Sequence, residues 1–310
     1  EFVGADFMQG AVSKIGPTSV TVANGTVLNA DCVVVAIGGQ YASGAIWKPT
    51  PDQTTKEERI AGFRSERERV KASRSVVIAG AGLAGVEVAG EIKSAYPDKK
   101  VTLVGTFLAG TSEGMRKRTK TAITKMGVIL SDGRVNESEP GEDGKVTTST
   151  GESIDADLVL NAAGFVFAGA ELVDEALATD VTKRGQFNCR ATLQLQSCDT
   201  VFCCGDIVAV PQGCYADVKG IAHAEATAKT VAANVVKVLS KASPLSDFKW
   251  SKKPITNPCM TALGTKVGIG DLGMPRFMSG IENKLCRTMK CKDYYMSLQA
   301  KHFGKGKTWD

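Results

Sequence analysis

The 310-residue sequence predicts an α/β fold made of two related dinucleotide-type units followed by a small C-terminal α+β segment. Three observations carry that expectation. A strand, glycine loop, helix and second strand succeed one another within residues 75–104. A phrase of hairpin, apolar strand and Ala-x-Gly occurs twice, at an offset of 126 residues. Glycine, at 33 residues, exceeds its usual share of about 7%, which indicates many tight turns or close backbone approaches.

In chain order, Ser19-Val20-Thr21-Val22 and Thr26-Val27-Leu28 flank Ala23-Asn24-Gly25, an Asn-Gly turn between β-rich runs, which predicts a hairpin. Asp31 to Gly39 is a short apolar run closed by two glycines, the pattern of a buried strand whose end approaches something. Trp47 to Thr55 reads as a Pro/Thr linker. Lys56 to Ser73 reads as a surface helix with Ile60, Phe63 and Val70 on its apolar side.

The clearest motif follows. Ser75 to Ala79 is a strand, Gly80-Ala81-Gly82-Leu83-Ala84-Gly85 is G-x-G-x-x-G, a helix runs to about Ala95, and Val101 to Val104 is a second strand. In that context the loop predicts a Rossmann-like unit: Gly80 permits the turn, Gly82 lets the backbone meet a pyrophosphate, and Gly85 lets the helix pack on the strand. The unpaired N–H groups at the helix start would hold the anion without any lysine. The bland alternative is a glycine-rich βα turn that binds nothing.

The repeat maps Gly25, Ala30, Asp31, Val33, Ala36 and Gly38 onto Gly151, Ala156, Asp157, Val159, Ala162 and Gly164. Two related units are the economical reading, and a convergent strand-end pattern is the alternative. If the units are related, the first should open with its own strand and glycine loop ahead of residue 1, so an N-terminal truncation is expected. Beyond the second copy, Thr200 to Asp206 and a helix from about Ala216 to Leu239 form another strand, Gly-Asp and helix arrangement. Asp206 would then stand at a strand's carboxyl end, where ligands bind in α/β sheets.

Composition, at 43% apolar and 23% charged, excludes disorder as the main state, and no run approaches the roughly 18 apolar residues of a membrane-spanning helix. With two histidines and nine cysteines lacking any paired C-x-x-C, no metal is expected. Cys286 and Cys291 share a C-x4-C spacing with some redox disulfides, but chance is the preferred reading, and the thiols suit a cytosol-like compartment. The net charge of +5 is concentrated in residues 276–307, which hold eight Lys or Arg against Glu282 and Asp293. A nucleic-acid partner for the whole protein is therefore not expected.

Phe277, Ile281, Leu285 and Met289 recur every four residues among Lys284, Arg287 and Lys290, which predicts a basic amphipathic helix after Pro275. Residues 275–310 could lie on an anionic membrane or pack their apolar face on the body of the protein, and both readings stand at this point. Gly110-Thr111-Ser112-Glu113-Gly114 matches the G-x-S-x-G nucleophile elbow. Ser112 falls eight residues beyond Val104 rather than directly after a strand, so the match reads as chance.

The order Ala-x-Gly-Gly at 36–39, Gly80 to Glu91, Ala-Ala-Gly at 162–164, Gly205-Asp206 and Ala262 to Gly270 resembles the flavin-dependent pyridine-nucleotide oxidoreductases, nearest the apoptosis-inducing-factor-like branch. Within it, Gly85 to Lys93 and Lys219 through Asn234 are most similar to the ferroptosis-suppressor type of quinone reductase. The resemblance implies a FAD domain (1–72 and 168–245) interrupted by an NAD(P)H domain (73–167), with 246–310 as a C-terminal interface or membrane-facing domain. It implies hydride transfer from NADH or NADPH to FAD and electrons onward to a quinone or other small acceptor. It also places Asp206 on the flavin ribityl chain, Lys219 near the flavin's pyrimidine edge, and Glu87 toward nicotinamide and isoalloxazine, with Gly38, Gly164 and Gly205 at the cofactors.

Glu91 is expected to be structural. Gly105 and Thr106 stand where an acid would bind the ribose 2′-hydroxyl, and Arg116, Lys117 and Arg118 follow, so use of both NADH and NADPH is expected. The rival readings are a monodehydroascorbate or ferredoxin reductase, and a non-enzymatic nucleotide- or DNA-binding protein. The expected location is the cytoplasm, with peripheral membrane attachment, or the mitochondrion as the alternative; oligomeric state is left unassigned.

Overall fold

The computed structural model describes residues 5–41, 48–50, 53–135, 137–214, 220–252, 259–272, 274–292 and 294–296. Residues 1–40 with 165–255 make one compact unit, and 41–164 with 256–310 a second. The sequence-based boundaries put 41–72 with the first unit and 246–310 in a domain of its own. The contacts instead group the linker region and most of the C-terminal segment with the glycine-loop unit.

In the first unit, β1 (Val12–Ile15), β2 (Ser19–Val22) and β3 (Val27–Asn29) form an antiparallel meander. Gly25 takes φ +88° at the predicted turn, where its N–H donates to the Val22 carbonyl at 2.8 Å. Next come β4 (Val33–Val35) and β5 (Gln40–Tyr41).

In the second unit, α1 (Lys56–Ala72) begins at a capping box. Thr55 and Glu58 exchange side-chain and backbone bonds, and only Val70 is buried, as a surface helix requires. β6 (Ser75–Ala79), α2 (Leu83–Ala95), β7 (Lys100–Val104), α3 (Glu113–Lys125) and β8 (Val128–Ser131) follow in βαβαβ order. The hairpin β9 (Lys145–Thr147) and β10 (Ser153–Asp155) leads into β11 (Leu158–Asn161). The parallel sheet runs β11-β6-β7-β8. Its strands are apolar on both faces: Val76, Val77, Ile78, Val101 and Leu103 are at most 1% exposed, as in a sheet covered on both sides.

The chain returns to the first unit through β12 (Phe165–Val166) and α4 (Gly169–Leu172). There β13 (Val201–Cys203) pairs in parallel with β4, and α5 (Ile221–Leu239) follows, over a core of Phe187, Leu193, Leu195, Phe202 and Ile207.

The C-terminal segment is α+β. β14 (Cys259–Leu263) and β15 (Val267–Asp271) form an antiparallel hairpin, against which α6 (Ser279–Cys286) packs before a π-helical turn, Arg287–Cys291. This corrects one of the two readings of the tail. The apolar stripe is turned outward at three of its four positions, with Phe277 87%, Ile281 48% and Met289 42% exposed, while Leu285 is half-buried. The buried positions are Glu282, Cys286 and Cys291.

Two features explain this. A Cβ at Gly270 would lie 2.6 Å from the Glu282 carbonyl oxygen, and one at Gly268 2.6 Å from Arg287 N, so helix backbone rests directly on strand backbone. The buried Glu282 carboxylate accepts from Leu272 N at 2.8 Å and Met274 N at 3.1 Å, which offsets its desolvation.

Candidate functional site

The glycine loop is built by backbone contact. Gly80, at φ +116°, ends β6, and a Cβ there would lie 2.7 Å from the Ala162 carbonyl; a Cβ at Gly85 would lie 1.8 Å from Gly80 O. Strand, loop and helix therefore touch without side chains between them, and no larger residue fits. Gly82 has open space where its Cβ would be and is the N-cap of α2, with no side-chain acceptor over the first turn. The first-turn N–H groups remain available to an anion, so the residues present fit a dinucleotide pyrophosphate. Ala162 N donates to Ala79 O at 2.7 Å, which sets Gly164 (φ +75°) just past the end of β11, two residues from the carbonyl that Gly80 abuts.

Beside the loop, Gly105 (φ +139°) follows β7, and a Cβ there would lie 3.0 Å from Ala81 N. Arg116 donates to the Thr111 carbonyl, and Arg118 donates to Gly270 O while lying 3.7 Å from the Glu282 carboxylate. Of the three cations expected to assist a 2′-phosphate, two are directed at the protein itself. Lys117 is exposed.

Glu87 is not a solvated helix residue. Its Oε1 accepts from Lys290 Nζ at 2.5 Å and from Ala262 N at 3.2 Å, and Lys290 Nζ also donates to Met260 O at 2.9 Å. One helical turn on, the Tyr294 hydroxyl donates to Glu91. Burial and the neighbouring Glu91 carboxylate push the Tyr294 phenol well above its ordinary range, so it stays a donor. Through Glu87 and Glu91, α2 is tied to the C-terminal segment at two successive turns. Lys290 was read in the sequence only as one cation of an amphipathic face. Its partner lies 203 residues away, and no local signal marks it.

The first unit holds a second cradle. Gly38, Gly205 and Asp206, picked out in the sequence at strand ends, line one cavity of about 560 Å³ together with Gly220, Ile221 and Ala224. Gly205, at φ +75°, donates its N–H to the buried Thr227 hydroxyl at 2.9 Å, which holds the Gly-Asp turn against α5. Gly220 caps α5 without a side-chain acceptor, so a second open helix start borders this cavity. Glycines at a strand end and a turn, a carboxylate and an unfilled helix terminus fit the flavin end of a dinucleotide. Lys219 lies outside the described residues.

Two sequence matches resolve into structure. Ser112 Oγ accepts from Met115 N at 3.0 Å as the N-cap of α3 and donates to the Asp271 carboxylate, so it starts a helix in place of the strand-to-helix elbow. His223 sits in the other unit, buried among Phe248 and Trp250 with ring centroids 6.1 and 5.7 Å away. Cys286 and Cys291 are free thiols; burial pushes Cys286 up to about 12 and also raises Cys291, so neither is a ready nucleophile.

Residues 7–230 match the family model described as pyridine nucleotide-disulphide oxidoreductase. The chain is 30% identical over 269 residues to FAD-dependent oxidoreductase FVFD30 of Flammulina velutipes, covering 82% of this chain and 76% of that protein. It is 24% identical to apoptosis-inducing factor homolog B of Dictyostelium discoideum (91% of this chain, 77% of the relative). It is 26% identical to human ferroptosis suppressor protein 1 (79% and 64%). Among solved structures, the ferredoxin reductase for the CYP199A2 system of Rhodopseudomonas palustris superposes with a TM-score of 0.60 at 15% identity, covering 86% of this chain and 70% of that one. At that identity the likeness is one of fold.

Proposed function

Because the chain belongs to the pyridine nucleotide-disulphide oxidoreductase family, we propose that it is a FAD-dependent reductase that draws on NADH or NADPH and delivers electrons to a quinone. The observation that carries this reading is the pairing, within one polypeptide, of two cradles of the same kind. Each sets glycine backbone beside a helix start that, among the described residues, no side chain caps. Gly80, Gly82 and Gly85 would hold the nicotinamide dinucleotide; Gly38, Gly205, Asp206 and the start of α5 would hold the flavin, with Lys219 assigned there by resemblance alone. A flavin so held supplies two-electron exchange between reduced nicotinamide and acceptor.

Glu87 and Lys290 form a fixed ion pair on the nucleotide helix, with Lys290 Nζ as a charged donor whose position Met260 O also sets. In this reading the pair orients the nicotinamide end of the cofactor. Gly105, in place of an acid after β7, leaves both cofactors acceptable. The exposed Phe277, Ile281 and Met289, interleaved with Lys284 and Arg287, suit peripheral attachment to the cytoplasmic face of an anionic membrane, where a lipid-soluble quinone is dissolved.

The test is to read the protein's visible spectrum for flavin and follow NADH and NADPH oxidation with a short-chain quinone, then with ferredoxin and monodehydroascorbate. A colourless protein that leaves reduced nicotinamide untouched ends the proposal, and a marked preference for another acceptor reassigns the acceptor. Comparable kcat/KM values for the two nucleotides are expected; a preference for NADH above about a hundredfold contradicts dual use. Phe277→Ser with Ile281→Ser should abolish flotation with anionic liposomes, and retained flotation removes the membrane from the reading.

A further inference from the structure

We propose that the groove between α3 and α6 binds an elongated phosphate ester, at a place separate from the glycine-loop cradle. The groove encloses about 510 Å³, within the roughly 300–1,000 Å³ of small-molecule sites. Ile269 of β15, 6% exposed, forms its floor. Along one wall Lys117, Thr121 and Lys125 recur every four residues of α3 and share a face. The core side of the same helix, Met115, Thr119 and Ile123, is fully buried. Opposite stand Ser279 and Asn283, one turn apart on α6. The Asn283 side-chain oxygen accepts from Gly270 N at 3.0 Å, which leaves its amide nitrogen as a donor.

Among the described residues neither Lys117 nor Lys125 has a carboxylate partner, whereas Arg118 at the groove's edge is engaged by Gly270 O and Glu282. Two ammonium groups on residues about 12 Å apart along the helix, with hydroxyl and amide donors over an apolar floor, match phosphate oxygens carried on a body long enough to span them. The adjoining hollow, about 300 Å³, shares Lys117 and Arg118 with the groove but sets the carboxylates of Glu113, Asp271 and Glu282 beside them, which favours the Thr121 and Lys125 end for a phosphate. None of these residues belongs to the Gly80–Gly85 loop.

Phosphate esters reach a protein as soluble metabolites or as lipid headgroups, and the experiment separates them. Fructose 1,6-bisphosphate is titrated calorimetrically at low ionic strength into the 310-residue protein. Cosedimentation is measured with phosphatidylcholine vesicles, with and without phosphatidic acid. Wild type, Lys117→Ala/Lys125→Ala and the control Lys145→Ala, an exposed lysine on β9, are compared after circular dichroism shows each is folded.

Saturable bisphosphate binding that weakens at least tenfold in the double variant and persists in the control and in the presence of NADH supports a soluble ligand. Binding only of phosphatidic acid vesicles, with the same lysine dependence, supports the groove with a lipid source. Absence of both, an equal loss in Lys145→Ala, or displacement by NADH or NADPH overturns the proposal.

Discussion

The two copies of the repeated phrase share a backbone and differ in what surrounds it. Gly25 N donates to Val22 O at 2.8 Å and Gly151 N to Thr148 O at 2.9 Å; Ala30 N donates to Thr18 O and Ala156 N to Gly144 O, both at 2.9 Å. Every one of these atoms is displaced by 126 positions from its counterpart, and the turn glycines have φ of +88° and +83°. Yet Val34 in the first copy is 45% exposed, whereas Leu160, its equivalent, is 3% exposed. β11 is flanked by the β6-β7-β8 sheet and its helices, while β4 has β13 as its strand neighbour. Local sequence sets the hairpin and the strand end; burial is set by the elements delivered beside them.

That contrast can be broken or sharpened by substitution. The largest effect is expected at the loop that completes the second copy. Gly85→Ala drives a methyl group into Gly80 O, and kcat/KM for NAD(P)H should fall by about a hundredfold or more; near wild-type kinetics would show that the loop does not hold the nucleotide. Next, Leu160→Ala should cost about 2–5 kcal/mol in urea unfolding, against under about 0.5 kcal/mol for Val34→Ala. Equal losses would dissolve the distinction between the copies.

Glu87→Gln keeps the acceptor for Ala262 N but removes the charge that pairs with Lys290, and kcat should drop about tenfold with little change in nucleotide KM. Gly25→Ala and Gly151→Ala meet no neighbouring atoms, so each should cost only the left-handed backbone penalty of about 1–2 kcal/mol, and the two values should agree.

A further effect is one of pH. Burial holds the Cys259 thiol to about 11 and the Cys286 thiol to about 12, against an ordinary value of 9.0. The unfolded chain releases these protons first, so their stabilisation is complete below pH 9 and is lost as pH climbs toward 11–12. Thermal melts from pH 8 to 11 should show Tm falling more steeply in wild type than in Cys259→Ala/Cys286→Ala.

What was legible in the sequence was whatever depends on neighbours along the chain. Asn24-Gly25 specified its hairpin, the Pro/Thr linker ending at Thr55 set the start of α1, and Gly80 to Gly85 announced a turn that only glycine can make. What escaped notice depends on partners far away. Nothing near Lys290 points to Glu87, and nothing near Tyr294 points to Glu91. The tail divides between its two readings for a physical reason. An apolar stripe normally faces the core, but here two strand glycines draw the other side of α6 onto β15, and backbone donors make a buried carboxylate tolerable.

Gly90 has a wider consequence. A Cβ there would lie 2.6 Å from the Leu263 Cα, so the middle of α2 and the end of β14 meet skeleton to skeleton. The nearest side-chain atoms there are Leu263's own Cβ and Cδ2, 2.9 and 3.0 Å from the same point. A shift of the nucleotide helix therefore bears directly on the C-terminal hairpin, and exchanging tails between homologues favours recipients that also carry glycine at this point.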